Sequence, residues 1–223
     1  MLRQYGVAND TMLLFTADNG PHIGLFPSES GPVRNVYAAT NGLRQCKASV
    51  FEGGIRVPGI VEWPGGIAEH ATTETPAYVT DFLPTVLDYL GIEHPHAKDW
   101  HFDGESLRGL IEQGGRWERS KPLSWRLGKQ VAMLSADGRY KLVKSPQAGQ
   151  CKMEPSSYLA KNSTGPFLFD IWSDPTESVP LNAKRPELLE KMAAEMEEWE
   201  ASITISQLNE SGCAAPSEAV LGA

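Results

Sequence analysis

A short apolar run that ends in a turn, near the start of the chain, constrains the possible folds most. Residues 11–17 are Thr-Met-Leu-Leu-Phe-Thr-Ala, and Asp18, Asn19, Gly20 and Pro21 follow directly. A short apolar run closed by a turn signal is typical of a strand buried on both faces of a parallel sheet. We therefore predict an α/β fold, because such a strand needs strands on both sides and helices on both faces.

Asp18 and Asn19 stand where a ligand site is expected in such a fold. In open α/β sheets, ligands gather at the carboxyl ends of the strands. A carboxylate and a carboxamide side by side offer hard oxygen ligands to a divalent cation. An Asx-turn that merely ends the strand would use the same residues, so the turn alone leaves both interpretations open.

Lys47 and two further motifs follow a long loop. Residues 51–58 are Phe-Glu-Gly-Gly-Ile-Arg-Val-Pro, and the next apolar run ends in Trp-Pro-Gly at 63–65. With the Asp-Asn-Gly-Pro turn, this order resembles the sulfatase family of the alkaline phosphatase superfamily. The family pattern is a strand ending in D-N-G, a variable loop, a lysine, Y/F-E-G-G-x-R-x-P and a strand ending in W-P-G. Other family-like stretches lie at 80–91, 103–107 and 174–177, so the resemblance covers nearly the whole chain.

The resemblance, together with the position and chemistry of the side chains, predicts roles for individual residues. Asp18 and Asn19 would bind a divalent metal, Ca²⁺. Lys47 would be a catalytic and substrate-binding residue that contacts the sulfate, and an ammonium is a point charge suited to an anionic ester. His22, next to the metal site, is a candidate catalytic residue that donates to, or shuttles a proton at, the bound anion; the alternative is a surface loop histidine. Paired glycines permit positive φ and close backbone approach, so an architectural role is expected for Glu52, Gly53, Gly54 and Arg56.

The family nucleophile is predicted to lie outside this sequence. In sulfatases it is a cysteine or serine in C/S-x-P-x-R, converted to formylglycine, and it lies with the other metal carboxylates in the amino-terminal part of the domain. Ser173-Asp174-Pro175-Thr176-Glu177 has the proline but ends in glutamate, and Cys213-Ala214-Ala215-Pro216 spaces the proline wrongly, so neither of these stretches qualifies. We therefore expect the carboxyl-terminal part of a sulfatase-type mixed sheet flanked by helices, inactive as an isolated chain.

Three functional interpretations follow. The first is a sulfuric ester hydrolase, similar to arylsulfatases, that acts on a sulfated small molecule or glycan. The second, within the same superfamily, is a phosphodiesterase or phosphonate hydrolase. The third is a non-catalytic fragment that at most binds a sulfated ligand or a partner chain, because the nucleophile is missing.

Composition limits the partners and the compartment. The 223 residues carry a net charge of -8, which argues against nucleic acid as the main partner. No apolar run reaches the roughly 18 residues that a membrane helix needs, and residues 1–10 lack the apolar region that is typical of a signal peptide. Three N-x-S/T acceptors at Asn9, Asn162 and Asn209 favour a secretory route. The resemblance implies the same, with a lysosomal, extracellular or periplasmic location. Oligomeric state and the pairing of Cys46, Cys151 and Cys213 stay open.

The pattern of elements predicts three parts of the chain. Residues 1–115 form the end of the α/β domain, 116–203 form a small antiparallel subdomain with a closing helix, and 204–223 form a flexible tail. The four predicted strands of the subdomain are 121–127, 130–134, 140–143 and 167–171, with a hairpin turn at Asp137-Gly138.

Helices are predicted from apolar residues at helical spacing. One runs from Thr80 or Asp81 to Leu90, with Asp81 as its cap rather than a catalytic acid. A second covers 107–113, and the closing helix covers 186–203 with an apolar stripe that packs on the small sheet. Residues 1–6 look like the end of another helix. His94, His96 and His101 are expected to be loop histidines and not a zinc site.

Overall fold

The computed structural model describes residues 1–22, 40–67, 71–93, 102–114, 117–146 and 165–210, with side chains described to residue 204. The histidines at 94–101, Cys151, Asn162, Cys213 and most of the loop between Pro21 and Gly42 lie outside these ranges. The elements are β1 (Leu13–Thr16), α1 (Glu52–Ile55), β2 (Gly59–Glu62), α2 (Phe82–Leu90), α3 (Arg108–Gln113), β3 (Leu123–Leu127), β4 (Gln130–Leu134), β5 (Tyr140–Lys144), β6 (Phe167–Asp170) and α4 (Pro186–Glu210). The predicted mixed α/β architecture is confirmed.

The first strand differs from its prediction. β1 pairs antiparallel with β2, so that Leu13 lies opposite Glu62 and Thr16 opposite Gly59. Its side chains are not buried on both faces, since Leu13 is 42% and Phe15 52% exposed. The prediction of a doubly buried parallel strand is therefore wrong for the described chain. An apolar run indicates side chains suited to burial, but it specifies neither the direction of the partner strand nor which residues cover the sheet.

The small subdomain forms as predicted. β3, β4, β5 and β6 make one antiparallel sheet in chain order. The turn between β4 and β5 contains Gly138, whose φ of 74° lies in the left-handed region that glycine adopts easily. Every residue of β4 and β6 is buried, which places these strands inside the core.

Each face of the small sheet is covered by a different part of the chain. On one face Met192 and Met196 of α4 pack with Leu142 and Leu168, which confirms the predicted contact of the closing helix. α4 extends beyond its predicted end at Ile203 to Glu210. The other face is covered by residues that sequence reading assigned to the α/β part, and the rings of Phe51 and Phe169 meet edge to face at 6.5 Å.

The segment before α2 is fixed by a buried carboxylate. Asp81 stands directly before α2, as predicted, but its side chain makes no capping hydrogen bond to that helix; it accepts one from the preceding Tyr78 amide at 2.7 Å. It also receives two hydrogen bonds from the Arg119 guanidinium, both 2.8 Å long, and this ion pair was not predicted. Gly91, with φ of 63°, ends α2 as expected.

At the amino terminus, residues 1–6 form a turn with the hydrogen bonds of a helix end, as predicted. The Val7 amide donates to the Leu2 carbonyl and the Gly6 amide to the Arg3 carbonyl, both at 3.2 Å, and Gly6 has a φ of 73°.

Candidate functional site

The turn after β1 packs directly against the segment that contains Lys47. The Gly20 amide donates to the Gly54 carbonyl at 2.8 Å, and the Lys47 amide donates to the Pro21 carbonyl at 3.1 Å. We call residues 44–54 the lysine segment. These two backbone bonds bring the predicted metal turn and the predicted substrate lysine into one structural unit.

Glycines make this close packing possible. A Cβ atom on Gly20 would lie 1.9 Å from the Gly53 carbonyl oxygen, and one on Gly53 would lie 2.1 Å from the Gln45 carbonyl oxygen. Neither distance is compatible with a side chain, so the E-G-G motif is architectural, as predicted. The reason is close backbone approach, because neither glycine has a positive φ.

Asp18 and Asn19 offer oxygen atoms that fit part of a metal site. Asp18 is exposed, and within the described ranges its carboxylate has no hydrogen-bond or ion-pair partner. The Asn19 amide nitrogen donates to the Gly20 carbonyl at 2.8 Å, which leaves the carboxamide oxygen as the atom able to bind a cation. The described residues contain no group of three or more acidic, histidine or cysteine side chains able to hold a metal. Calcium takes six to eight oxygens, so this pair would be part of a larger ligand set.

Lys47 lies in a strained part of the lysine segment. Gln45 and Ala48, on either side of it, have φ values of 62° and 70°, in the left-handed region that side chains other than glycine rarely adopt. Backbone strain of this kind concentrates at functional sites. Among the described residues neither the Lys47 ammonium nor the His22 ring has a hydrogen-bond partner, and His22 is exposed.

Sequence reading missed a buried ion cluster beneath the lysine segment. Lys141 of β5 lies 2.8 Å from a carboxylate oxygen of Glu52 and 2.8 Å from one of Glu177. We call these three residues the ion cluster; each is no more than 4% exposed. Nothing in the sequence around Lys141 distinguishes it from a solvated lysine. Glu177, at the end of the D-P-x-E turn, was noted only as a family-like position.

The pKa values of the cluster are shifted by burial and by charge. Burial raises the pKa of Glu177 to about 7, with Glu52 adding to the shift and Lys141 opposing it. Burial alone would raise the pKa of Glu52 as well, but Lys141 and Arg56 hold it below its usual range. Burial disfavours the Lys141 ammonium, yet the two carboxylates raise its pKa above the usual value.

Cys46, next to Lys47, is buried and disulfide-bonded.

In the part of the chain that the structure describes, no helix is both long and apolar enough to span a membrane.

Comparisons with known proteins agree with the motifs. A family model described as Sulfatase matches residues 1–92. Steryl-sulfatase from Rattus norvegicus is 40% identical over 111 residues, which is 49% of this chain and 18% of that protein. Arylsulfatase A from Bos taurus is 30% identical over 186 residues, which is 79% of this chain and 34% of that protein. The chain is a relative of the sulfatases.

The fold of the sulfatases extends over most of the chain. The crystal structure of a sulfatase from Pseudoalteromonas sp. aligns with a TM-score of 0.67 at 22% identity, covering 91% of this chain and 39% of that one. The chain spans about a third or less of the length of the two curated relatives named above. The small antiparallel sheet with its closing helix is thus part of a sulfatase-type fold.

Proposed function

We propose that this chain supplies the Asp18, Asn19 and Lys47 part of the active site of a hydrolase that cleaves sulfate monoesters with bound Ca²⁺. The observation that supports this most is the hydrogen bond from the Lys47 amide to the Pro21 carbonyl. It places the lysine segment beside the turn that follows Asp18 and Asn19. The match of residues 1–92 to the sulfatase model covers all of these positions.

Each proposed residue binds or stabilises a charged group, either the anionic sulfate ester or the metal cation. The Lys47 ammonium binds the sulfate and offsets negative charge that develops on it or on the leaving oxygen. The Asp18 carboxylate and the Asn19 carboxamide oxygen hold the metal, which when bound polarises the ester and lowers the pKa of the attacking hydroxyl. His22 donates a hydrogen bond or a proton to the bound anion.

The attacking group is expected outside residues 1–223. In the sulfatases that this sequence resembles it is a formylglycine in C/S-x-P-x-R, in the amino-terminal part of the domain. Ser30-Gly31-Pro32-Val33-Arg34 matches the letters of this motif, but it follows the Asp18–Asn19 turn instead of preceding it. We therefore expect the isolated chain to show no turnover of sulfate esters. Activity would require a polypeptide segment that carries this motif and the remaining metal carboxylates. A chain that has no such segment would be a non-catalytic sulfatase relative.

The proposed substrate is a sulfated small molecule or glycan. Two relatives are a steryl-sulfatase and an arylsulfatase by name. One structural neighbour, with a TM-score of 0.60, was solved in complex with its substrate D-glucosamine-2-N,6-O-disulfate. The names refer to sulfates of hydrophobic molecules and to sulfates of sugars. Both kinds of molecule carry the sulfate ester that Lys47 would contact.

Phosphonate hydrolysis is the second candidate. The phosphonate monoester hydrolase of Agrobacterium radiobacter aligns over 90% of this chain with a TM-score of 0.54. Turnover of aryl sulfate, aryl phosphate and phosphonate esters by the native polypeptide that contains residues 1–223 separates the candidates. A preference for the phosphorus esters would contradict sulfatase activity.

We also propose a secretory location. Cys46 is disulfide-bonded, and disulfides persist mainly in oxidising compartments. The N-x-S/T acceptors fit such a route. Recovery of the protein from a secretory or periplasmic fraction, with a mobility shift after glycosidase treatment in a eukaryotic host, would test this location; recovery from the cytosol alone would contradict it.

The role of Lys47 is tested by substitution in the native polypeptide. Lys47→Ala is expected to lower kcat for an aryl sulfate by about 10²–10³-fold, as loss of one charge-stabilising group does. Lys129→Ala, at an exposed lysine in the turn between β3 and β4, is the matched control and should leave kcat unchanged. Calcium removal with EDTA should abolish turnover, and added Ca²⁺ should restore it.

Equal activities of Lys47→Ala and Lys129→Ala would contradict the proposed role of Lys47. Full activity in EDTA would contradict the proposed role of the metal.

A further inference from the structure

The ion cluster of Glu52, Lys141 and Glu177 joins the small sheet to the lysine segment. Lys141 belongs to β5, Glu52 opens α1 and Glu177 lies in the turn after β6. Their side chains are almost completely buried, and the two carboxylates share the single Lys141 ammonium at 2.8 Å each. A cluster of this kind holds its members in fixed positions, because separating them would leave an unpaired charge in the interior.

Glu177 contacts the lysine segment at both of its ends. One carboxylate oxygen accepts a hydrogen bond from the Glu52 amide at 2.7 Å. The backbone carbonyl of the same residue accepts a hydrogen bond from the Arg44 guanidinium, also at 2.7 Å. Residues 45–51, with Lys47 among them, therefore form a loop whose two ends are bound to one residue of the small subdomain.

The small sheet supports the middle of the same loop. The side-chain amide (Nε2) of Gln130 in β4 donates to the Ala48 carbonyl at 3.2 Å. Within the loop the Gly53 amide donates to the Arg44 carbonyl at 2.7 Å. The left-handed conformations at Gln45 and Ala48 are thus held by contacts from both sides, as strained residues require.

We propose that Glu177 and Lys141 are positioning residues for the sulfate ester site. They touch neither Asp18 nor the Lys47 side chain, and they act by fixing the lysine segment, which in turn fixes the Asp18–Pro21 turn through the Gly20 and Lys47 amides. The small subdomain is then a structural support that the site requires. This inference rests on the proposed function, and its test includes a measurement independent of it.

The test compares Glu177→Ala and Glu177→Gln in the native polypeptide. Glu177→Ala removes the acceptor for the Glu52 amide and one partner of Lys141, whereas glutamine keeps an acceptor oxygen of the same reach. Asp170→Asn is the matched control, because Asp170 is also a buried carboxylate of the small subdomain, but its ion pair is with Arg139. Hydrogen exchange of the 45–54 amides is measured beside kcat and KM for an aryl sulfate.

We expect Glu177→Ala to speed exchange at residues 45–54 by about tenfold or more and to lower kcat by about 10–100-fold, the usual effect of losing a supporting residue. Amides of β5 and β6 should exchange as in the unmodified protein. Glu177→Gln should restore a large part of both properties, and Asp170→Asn should change neither.

Unchanged exchange at 45–54 in Glu177→Ala would overturn the proposal. So would an increase that is equal in the lysine segment and in β5, because that indicates general destabilisation. If Glu177→Ala does not fold, Glu177→Gln carries the test: neutralising the carboxylate should still speed 45–54 exchange measurably more than Asp170→Asn does. If exchange responds as expected but the unmodified polypeptide cleaves no sulfate ester, the positioning role stands and the proposed function fails.

Discussion

The two sheets of the described chain differ in how completely their side chains are buried. In the small sheet, all residues of β4 and β6 are buried, with α4 on one face and Phe51 on the other. In the β1–β2 sheet, Phe15 is 52% exposed and Ile60 54% exposed. Described residues thus cover both faces of the small sheet, whereas they leave apolar side chains of the β1–β2 sheet exposed.

This difference shows where the candidate site obtains its support. The Asp18 turn follows the poorly covered strand β1, so its own sheet contributes little apolar burial. The lysine segment is instead tied to the well-covered sheet by Phe51 and by the ion cluster. Stability and the proposed chemistry are therefore assigned to different parts of the chain, and substitutions should separate them.

The largest expected effect comes from matched phenylalanines in the two sheets. Phe169→Ala removes a fully buried ring from β6 and should lower the free energy of unfolding by about 3–5 kcal/mol. Phe15→Ala in β1 should cost less than about 1 kcal/mol, because half of that side chain is already in water. Urea unfolding of the 223-residue chain measures both. Equal losses would contradict the contrast between the sheets.

A second comparison concerns buried and exposed cations. Lys141→Ala leaves Glu52 and Glu177 without their shared ammonium and should cost about 3–5 kcal/mol. Arg139→Ala breaks an ion pair whose arginine is 40% exposed, and the unfolding midpoint should barely change. The same urea titration applies. A larger loss for Arg139→Ala than for Lys141→Ala would show that the ion cluster is not what connects the two regions.

The pH dependence of stability should sharpen the role of Glu177. Its pKa rises from 4.5 to about 7 on folding, in the presence of the nearby charges of Lys141, Glu52 and Arg44. Because the folded state holds the proton more tightly, the stability from this group is complete below about pH 4.5 and is lost as pH rises through 7.

Unfolding free energies of the unmodified chain and of Glu177→Gln, measured from pH 4 to 8, provide the test. As pH rises from 4 to 8, the unmodified chain should lose up to about 3 kcal/mol of unfolding free energy relative to Glu177→Gln. A difference that is constant, or that moves in the opposite direction, would contradict the raised pKa.

The smallest expected effect comes from two glycines near the site. Gly20→Ala would force a Cβ atom against the Gly53 carbonyl and should cost about 1–3 kcal/mol through backbone shifts. Gly59→Ala is the matched control in β2, where an added Cβ meets nothing within 4 Å. Thermal unfolding midpoints distinguish them. A tolerated Gly20→Ala would mean that the turn and the lysine segment are not tightly packed.

Local patterns predicted the small subdomain well. Its strands and α4 show regular spacing of apolar residues, and Asp137-Gly138 marks the hairpin, so the information lies within a few residues of each element. β1 was assigned to a parallel sheet because its apolar run carries no information about its partner. Only the pairing of residues 13–16 with 59–62 decides the direction.

The site was predicted in part. The meeting of the Asp18 turn with Lys47 followed from the resemblance, and the structure brings their backbones together. The ion cluster could not be predicted from the sequence. Its members Glu52, Lys141 and Glu177 are widely separated in sequence, and each is of a residue type usually found in solvent. Its existence depends on the antiparallel register that buries Lys141 beside α1.

The most direct test of the central claim is a crystal structure of the native polypeptide with Ca²⁺ and inorganic sulfate. We predict oxygen atoms of Asp18 and Asn19 at about 2.3–2.6 Å from the calcium ion. The Lys47 ammonium should lie about 2.7–3.2 Å from a sulfate oxygen in the same cleft. Calcium bound elsewhere, or a Lys47 side chain that points away from the Asp18–Asn19 turn, would contradict the account.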